Sequence, residues 1–295
     1  MPEPGRHPKP TFQRWWLRTP LLFAALYILV CGGYASYQRR LIYFPTVFTS
    51  QEAGELARSE GLERWKNPLG KPVGWKRASP RQPAEGQVLI LHGSASCAFK
   101  CGHYADTIQQ AAPLDVFMVE FPGYADRPGT PRERTLDEAG AEALQLLASN
   151  APLYLVGESL GTGVAAYLAG CYPGEVAGIA LLAPYNRLAD VGQARMPLLP
   201  VRLLLGDRFP TEDYLRGYHG PLAVLAGDQD TVVPKRFSRR LYDNYAGPKR
   251  LWESAQATHA SLMFQPPAVW KDIVAFWQTN RPPGGVLSPG RSGGR

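Results

Sequence analysis

The sequence predicts an α/β fold in which a mainly parallel sheet is covered by helices on both faces. Short apolar runs alternate with segments of helical periodicity, and this alternation is typical of β-α-β units. The alternation extends over most of the chain, and no internal repeat is present. The predicted strands are Val88–Leu91, Val116–Phe121, Leu153–Val156, Gly178–Leu182, Leu222–Ala226 and Arg250–Trp252.

Helical segments are expected between these strands. The clearest covers Thr135–Ala148, where Ala and Leu recur at helical spacing. Thr135 is the expected N-cap, because its hydroxyl can accept a hydrogen bond from a free amide of the first turn. Two further helices are expected over Thr162–Ala169 and Pro267–Trp277. With 295 residues, the chain is expected to hold one large domain, over residues 41–280.

The formal charge of +7 is concentrated at the two ends of the chain. Residues 1–40 carry a net charge of +5 and residues 281–295 a net charge of +3, so the residues between them net −1. A near-neutral body lacks the basic face that binds phosphates, so no nucleic-acid partner is expected. The segment 281–295 is rich in Gly, Pro and Ser without periodicity and is predicted to be disordered.

The N-terminal region predicts a membrane anchor. Residues 1–20 form a basic tail, and Leu21–Tyr37 follows it without a charged residue. Tryptophans before this segment and tyrosines at its end lie about 20 residues apart, which at helical rise is roughly the distance between the two faces of a bilayer. More basic residues precede the segment than follow it. This asymmetry predicts a cytoplasmic tail and a large domain on the non-cytoplasmic side.

Two alternatives to an anchor stay open for this segment. A basic start and an apolar centre also describe a signal peptide, and Gly33-Tyr34-Ala35 resembles its cleavage site. In that case the protein is secreted. The other alternative is a core helix of a soluble domain.

Residues 157–161 read Gly-Glu-Ser-Leu-Gly, with Ser159 at the turn between a predicted strand and a predicted helix. This is the context of a nucleophile elbow, where the turn is so sharp that the flanking residues Gly157 and Gly161 must be small. The alternative is a tight turn without chemistry. The context favours Ser159 as a nucleophile.

A serine hydroxyl needs a base to take its proton, and in this fold the acid and the histidine follow the serine in the chain. His259 lies in the loop after the last predicted strand and is the expected base, whereas His219 precedes a strand and is expected at the surface. Asp230 is the expected acid because it has room to reach the histidine. Asp228 is the alternative, and we expect it to bond the amides of its own turn.

A tetrahedral oxyanion needs donors that are already in place. The elbow supplies the backbone amide of Leu160, and the loop after the first predicted strand supplies the amide of Ser94, with Ala95 as the alternative. His92, directly before this loop, is expected to be structural.

The segment Tyr185–Gly220 holds 36 residues between two predicted strands. It must supply a crossover helix, so only a short cap and an open, shallow mouth are expected. Within it, Met196–Leu205 is almost wholly apolar and is expected to pack under the sheet edge, with membrane contact as the alternative.

Seven motifs in this order resemble the α/β-hydrolase superfamily, in its membrane-anchored branch near the serine-aminopeptidase-like (abhydrolase domain-containing) hydrolases. They are LIYFP, LHGSA, FPGYADRPGTP, GESLGTG, RFP, AGDQDTVVP and THASL. The resemblance spans roughly Leu41–Trp277 and implies the fold and a triad of Ser159, Asp230 and His259. The chain departs from the family at Ala125 and Arg127, where Gly and Ser are usual, and at Ser94, where Asn is usual. These departures leave substrate preference open.

Four cysteines are present. Cys97 and Cys101 are expected as free thiols, with a disulfide as the alternative in an oxidising compartment. No metal site is expected, because the pair with His103 lacks a fourth ligand, and no cofactor is implied.

The sequence therefore predicts a membrane-anchored serine hydrolase that acts on a small or medium acyl ester or thioester, either a small molecule or a lipid-linked group. The alternatives are a serine peptidase of the aminopeptidase type and a catalytically inactive scaffold.

Overall fold

The computed structural model describes residues 15–147 and 151–281, and its centre is one eight-stranded sheet with the order β1-β2-β4-β3-β5-β6-β7-β8. β1 and β2 pair antiparallel, β2 pairs antiparallel with β4, and the other neighbours are parallel. The strands are β1 Glu63–Lys66, β2 Pro72–Arg77, β3 Gly86–Leu91, β4 Leu114–Val119, β5 Leu153–Glu158, β6 Val176–Leu182, β7 Leu222–Gly227 and β8 Lys249–Ser254.

All six predicted strands are present, because their apolar runs are buried between two helical layers. β6 and β7 are buried along their whole length, as expected of parallel strands covered on both faces. β1 and β2 were not predicted, since their charged residues break the apolar run. β4 ends at Val119 rather than at Phe121, where the chain turns away toward Gly123 (φ 86°).

The predicted helices on both faces are confirmed. The helices are α1 Trp15–Ile42, α2 Ser50–Ser59, α3 Gly102–Ala111, α4 Glu133–Leu147, α5 Gly161–Cys171, α6 Leu188–Arg195, α7 Val201–Leu204, α8 Thr211–Tyr214, α9 Lys235–Asn244 and α10 Pro267–Thr279. Buried side chains of α4, α5 and α9 form one core cluster with one face of the sheet. Those of α2, α3 and α10 form a second cluster on the other face.

The predicted cap of α4 is wrong. The helix begins at Glu133, and the Thr135 hydroxyl accepts a hydrogen bond from the Arg132 amide and donates to the Thr130 carbonyl. Glu133 joins the start of this helix to the cap, because its carboxylate accepts hydrogen bonds from the backbone amides of Arg208 and Phe209. The predicted final residue, Ala148, lies outside the described residues.

α1 is longer than the predicted segment 21–37. Residues 18–42 of this helix have the length and apolar composition to cross a membrane, with a mean hydropathy of 1.6. The basic tail lies outside the described residues up to position 14, as does the predicted disordered tail after Arg281.

The connection between β6 and β7 forms the short cap, which consists of α6, α7 and α8. Its apolar stretch Met196–Leu205 does not pack under the sheet edge as expected. Val201 and Leu205 are buried instead against Tyr34 of α1. The cap therefore rests on the N-terminal helix.

Candidate active site

Ser159 lies at the turn that joins β5 to α5 and has a positive φ of 49°. A non-glycine residue with this backbone is strained and is found where the surrounding structure enforces it. A Cβ at Gly157 would lie 2.8 Å from the Gly161 carbonyl oxygen, and one at Gly161 would lie 2.0 Å from the Leu91 carbonyl oxygen. The two glycines therefore allow the turn to pack against β3, and the serine is raised at the edge of the sheet.

The structure brings Ser159, His259 and Asp230 together in one chain of hydrogen bonds. His259 Nε2 lies 3.0 Å from Ser159 Oγ, and His259 Nδ1 lies 2.7 Å from Asp230 Oδ2. The three residues follow β5, β8 and β7 respectively. Their contact follows from topology, because the carboxyl ends of parallel strands meet at one edge of the sheet.

Asp230 is buried, with 5% of its surface exposed. Its second oxygen, Oδ1, accepts the backbone amides of Val232 and Val233 at 2.8 and 2.7 Å. These two bonds fix the carboxylate and leave Oδ2 for the histidine. A carboxylate held in this way keeps an imidazole in one tautomer and orientation.

Asp228, the alternative acid, has a different partner from His259. It is exposed and forms an ion pair of 2.5 Å with Lys235. The expectation that it bonds the amides of its own turn is wrong, because Lys235 at the start of α9 competes for it. His219 is exposed, as predicted.

Ser94 and Leu160 line the same cavity as Ser159. Within residues 15–147 and 151–281, no protein acceptor takes a hydrogen bond from either backbone amide. The Ser94 carbonyl accepts the Phe44 amide at 3.0 Å and the Tyr124 hydroxyl at 2.9 Å. Both amides thus have no partner among the described residues, and the loop that carries Ser94 is held on one side by the bonds to its carbonyl.

The peptide between Gly93 and Ser94 is oriented by its own carbonyl. The Gly93 carbonyl accepts the Ser96 amide at 3.2 Å and lies 2.8 Å from His92 Nδ1. Because the N–H of a trans peptide points opposite to its C=O, these contacts set the direction of the Ser94 amide. His92 is fully buried and its Nε2 lies 3.1 Å from Glu120 Oε1, so it has the structural place that the sequence predicts.

Glu158 lies next to Ser159, at the end of β5. Burial raises the pKa of its carboxyl, and the nearby His92, His103 and His259 oppose this shift. The Tyr104 hydroxyl lies 3.4 Å from its Oε2.

Ser159 opens into a mostly apolar cavity of about 210 Å³. Among the described residues, Arg195 is the one charged side chain that lines it. The Arg195 guanidinium donates to the carbonyls of Thr231 and Val232. The apolar and aromatic part of the wall comprises Tyr34, Leu41, Ile42, Phe44, Leu160, Tyr185, Leu188, Val191, Met196, Leu205, Val232 and Val233.

The N-terminal helix supplies part of this wall, which the sequence reasoning missed. Tyr34 and Gln38 of α1 line the cavity and are 9% and 8% exposed. Gln38 donates to the Leu204 carbonyl at 3.1 Å and accepts the Gly206 amide at 2.7 Å. In the sequence, Gln38 stands out only as a polar residue directly after the apolar segment. That position does not indicate that Gln38 bonds the cap.

All four cysteines are free thiols, and Cys97 and Cys101 are fully buried. The Cys101 thiol contacts the Cys97 carbonyl at 3.7 Å. Burial raises the pKa of Cys97 to about 12, so it remains protonated. The pair is part of the core below the loop after β3.

Comparison with known proteins agrees with this architecture. Residues 88–287 match the model of the Alpha/beta hydrolase family. The chain is 31% identical over 246 residues to the uncharacterized protein MT2364 of Mycobacterium tuberculosis (strain CDC 1551 / Oshkosh), over 77% of this chain and 83% of that one. It is 26% identical over 208 residues to lysophosphatidylserine lipase ABHD12 of Danio rerio, over 63% of this chain and 54% of the lipase.

Solved structures share the fold at low sequence identity. Esterase Pf2001 of Pyrococcus furiosus superposes with a TM-score of 0.56 and 16% identity, over 81% of this chain and 97% of that one. Est1E of Butyrivibrio proteoclasticus, with ferulic acid bound, superposes with a TM-score of 0.56 and 16% identity, over 70% of this chain and 94% of that one. With the family match and the relative above 30% identity, these findings show that the chain belongs to the Alpha/beta hydrolase family.

Proposed function

We propose that the protein is a membrane-anchored serine hydrolase that cleaves an acyl ester or thioester of small or medium size through an acyl-enzyme. The observation that carries this proposal is the 3.0 Å contact of His259 Nε2 with Ser159 Oγ. A base at this distance can take the serine proton as the hydroxyl attacks a carbonyl.

The reaction proceeds in two steps. Ser159 Oγ attacks the acyl carbon, His259 takes its proton, and the leaving alcohol or thiol departs with that proton. Water then attacks the acyl-serine as His259 takes its proton, and His259 returns this proton to Ser159 Oγ as the bond to the acyl group breaks and the acid is released. Asp230 holds the imidazole in the required orientation and stabilises its positive charge in both steps.

The amides of Leu160 and Ser94 stabilise the oxyanion in this scheme. Each donor of this kind contributes about 10²- to 10³-fold to turnover in a site that excludes water. Two observations support this role. Both residues line the cavity, and neither amide donates to an acceptor among the described residues.

The cavity supports an acyl substrate rather than a long soluble polypeptide. Its wall is apolar, and about 210 Å³ is smaller than the usual pocket for a drug-sized ligand. It therefore suits the acyl part of the substrate. One related protein, ABHD12 of Danio rerio, is a lysophosphatidylserine lipase, and this relationship favours ester cleavage over peptide cleavage. No nucleic-acid partner, metal or cofactor is part of the proposal.

The contacts of α1 support a retained anchor over a cleaved signal peptide. Cleavage near Ala35 would remove Tyr34 from the cavity wall, and Tyr34 is buried against the cap. The ion pair of Arg39 with Asp207, 3.1 Å long, further ties the end of α1 to the domain. The basic tail then lies in the cytoplasm and the catalytic domain on the other side, as the charge asymmetry predicts.

The full chain in detergent micelles, incubated with a panel of p-nitrophenyl esters, acyl thioesters and aminoacyl amides, tests this function. We expect hydrolysis of short esters and thioesters, and none by Ser159→Ala. Cleavage of unblocked peptides without ester hydrolysis would replace the proposal with a peptidase. A wild-type protein that turns over no substrate and resists fluorophosphonate would instead indicate a scaffold.

A further inference from the structure

From residue 18 to residue 42, one face of α1 packs along the cap, while the other residues are exposed. The residues on this face recur every three or four positions, as the helical repeat requires. They are Tyr27, Cys31, Tyr34, Gln38 and Ile42. The other residues from Leu21 to Val30 are exposed apolar side chains, apart from small alanines. α1 therefore presents one face to the protein and the others to its surroundings.

The tip of the cap is the connection between α6 and α7, which contains Leu198. A hydrogen bond joins this tip to the middle of α1. The Tyr27 hydroxyl donates to the Leu198 carbonyl at 2.9 Å. Tyr27 precedes Arg39 by 12 positions, which corresponds to about 18 Å along the helix axis. Arg39 is half-exposed and paired with Asp207, and marks the polar end of α1. If α1 crosses a bilayer, the tip lies at the depth of its hydrocarbon.

The side chains at the tip suit that environment. Leu198 and Leu203 are 85% and 78% exposed, and they continue the apolar surface of α1. Arg202 lies in the same segment with 61% of its side chain exposed, and its charge is paired with Asp190, which its Nε contacts at 2.7 Å. Isolated leucines at a surface are ordinary, but two beside an exposed apolar helix form a patch that needs a partner.

Several backbone carbonyls of the tip are hydrogen-bonded within the protein, as a bilayer interior requires. Gln193 Nε2 donates to the carbonyls of Met196 and Leu199 at 3.2 and 2.8 Å. The carbonyls of Leu198 and Leu204 are bonded by Tyr27 and Gln38. The Pro200 carbonyl accepts the amides of Leu203 and Leu204. Non-helical backbone is tolerated at membrane depth when its polar groups are bonded within the protein in this way.

Resting on the proposed membrane anchor, we propose that the segment Met196–Leu205 inserts into the same bilayer as α1, and that the cavity at Ser159 takes its acyl chain from that bilayer. Met196 and Leu205 line the cavity from the cap, and Tyr34 and Ile42 line it from α1. The cavity wall and the inserted tip are thus formed by the same two elements. The occupant of the patch is lipid, and the substrate is an acyl ester that resides in the membrane.

A depth probe tests the insertion without using catalysis. Single cysteines at positions 198 and 203, and at 69 as control, are introduced into the full chain in which Cys31 and Cys171 are replaced by alanine. Leu69 is 80% exposed in the β1–β2 connection. Each single-cysteine protein is labelled with an environment-sensitive fluorophore and placed in phosphatidylcholine–phosphatidylglycerol vesicles. We expect blue-shifted emission and quenching by spin-labelled acyl chains at 198 and 203 alone. Equal responses at all three positions would overturn the proposal.

An activity test separates this proposal from the proposed hydrolase function. With a medium-chain monoacyl ester in vesicles, the double variant Leu198→Asp/Leu203→Asp should lose at least about tenfold in rate. With a short soluble ester its rate should stay within about twofold of wild type, and Leu69→Asp should be normal on both. Equal rates on vesicles would contradict the lipid route, whereas a wild-type protein inactive on the soluble ester would contradict the hydrolase itself.

Discussion

The elbow that carries Ser159 and the cavity wall in front of it are built in different ways. The turn of the elbow is formed by residues close in sequence, and it packs against the neighbouring strand β3, where a side chain at Gly161 would meet the Leu91 carbonyl. The wall joins α1 to the cap, 166 positions apart at the contact of Gln38 with Leu204. The elbow is therefore rigid and local, while the wall depends on the docking of two elements. Chemistry should follow the first region and choice of substrate the second.

The largest expected effect comes from the elbow itself. Ser159→Ala should fold normally and lose at least about a thousandfold in turnover, because the acyl-enzyme cannot form while the oxyanion amides remain. His259→Ala should lose a similar amount. The losses should not add in the double variant, since the two residues act as one unit, and a double variant far slower than both would contradict this. Stopped-flow or steady-state ester hydrolysis provides the measurement.

Asp230 and Asp228 offer a matched pair of carboxylates two positions apart. Asp230→Asn should lower turnover by about two to four orders of magnitude, because the amide favours the wrong imidazole tautomer. Asp228→Asn should change turnover less than about threefold, since Asp228 pairs with Lys235 whereas Asp230 bonds the histidine. The reverse ranking in kcat would move the acid to Asp228 and refute the geometry.

A substitution in the cavity wall should change the KM for longer acyl esters rather than the rate of the chemical step. Gln38→Ala removes the two hydrogen bonds that this side chain makes with the cap beside the cavity, so the KM for an octanoyl ester should rise about three- to tenfold. The KM for an acetyl ester should be almost unchanged, because a short acyl group needs little of the wall. Gln51→Ala, on the exposed face of α2, is the control. A uniform loss with both esters would mean that the wall supports the catalytic residues as well.

The smallest expected effect lies in the helix layer behind the elbow. Asp137 in α4 is 6% exposed, and no described residue donates to its Oδ1. Burial, followed by the charges of Glu133 and Glu138, raises its pKa from 3.8 to about 8. Since the folded state holds the proton more tightly, stability is highest below the unfolded pKa and falls as the pH rises toward 8. Asp137→Asn should remove this loss.

Thermal unfolding at two pH values measures the effect. At pH 8 the variant should gain on the order of 1 to 3 kcal/mol, and at pH 4 little or nothing. The exposed Asp243→Asn serves as control, and ester turnover should be unaffected. A gain of equal size at both pH values would show that the carboxyl is not the source of the penalty.

The same two regions show how far the sequence could be interpreted. The six parallel strands, the elbow and the positions of Asp230 and His259 followed from apolar runs, glycine spacing and chain order, which are local or topological signals. β1 and β2 were missed because an antiparallel edge with alternating charges has no long apolar run. The start of α4 was misplaced because Glu133 is held by Arg208 and Phe209, which are distant in the chain.

The place of Met196–Leu205 could not be derived for the same reason. Its apolar composition fits burial under the sheet as well as contact with a membrane. What decides its position is the set of bonds from Tyr27 and Gln38 to the carbonyls of Leu198 and Leu204. Such pairings between distant polar atoms leave no periodic pattern in a single sequence.

The most direct test of the central claim is to locate a covalent adduct. The full chain in micelles is treated with a fluorophosphonate, digested, and analysed by tandem mass spectrometry. We expect one adduct, on Ser159, formed much more slowly in His259→Ala and absent in Ser159→Ala. An adduct on another residue, or undiminished labelling of Ser159→Ala, would contradict the assignment of Ser159 as the nucleophile.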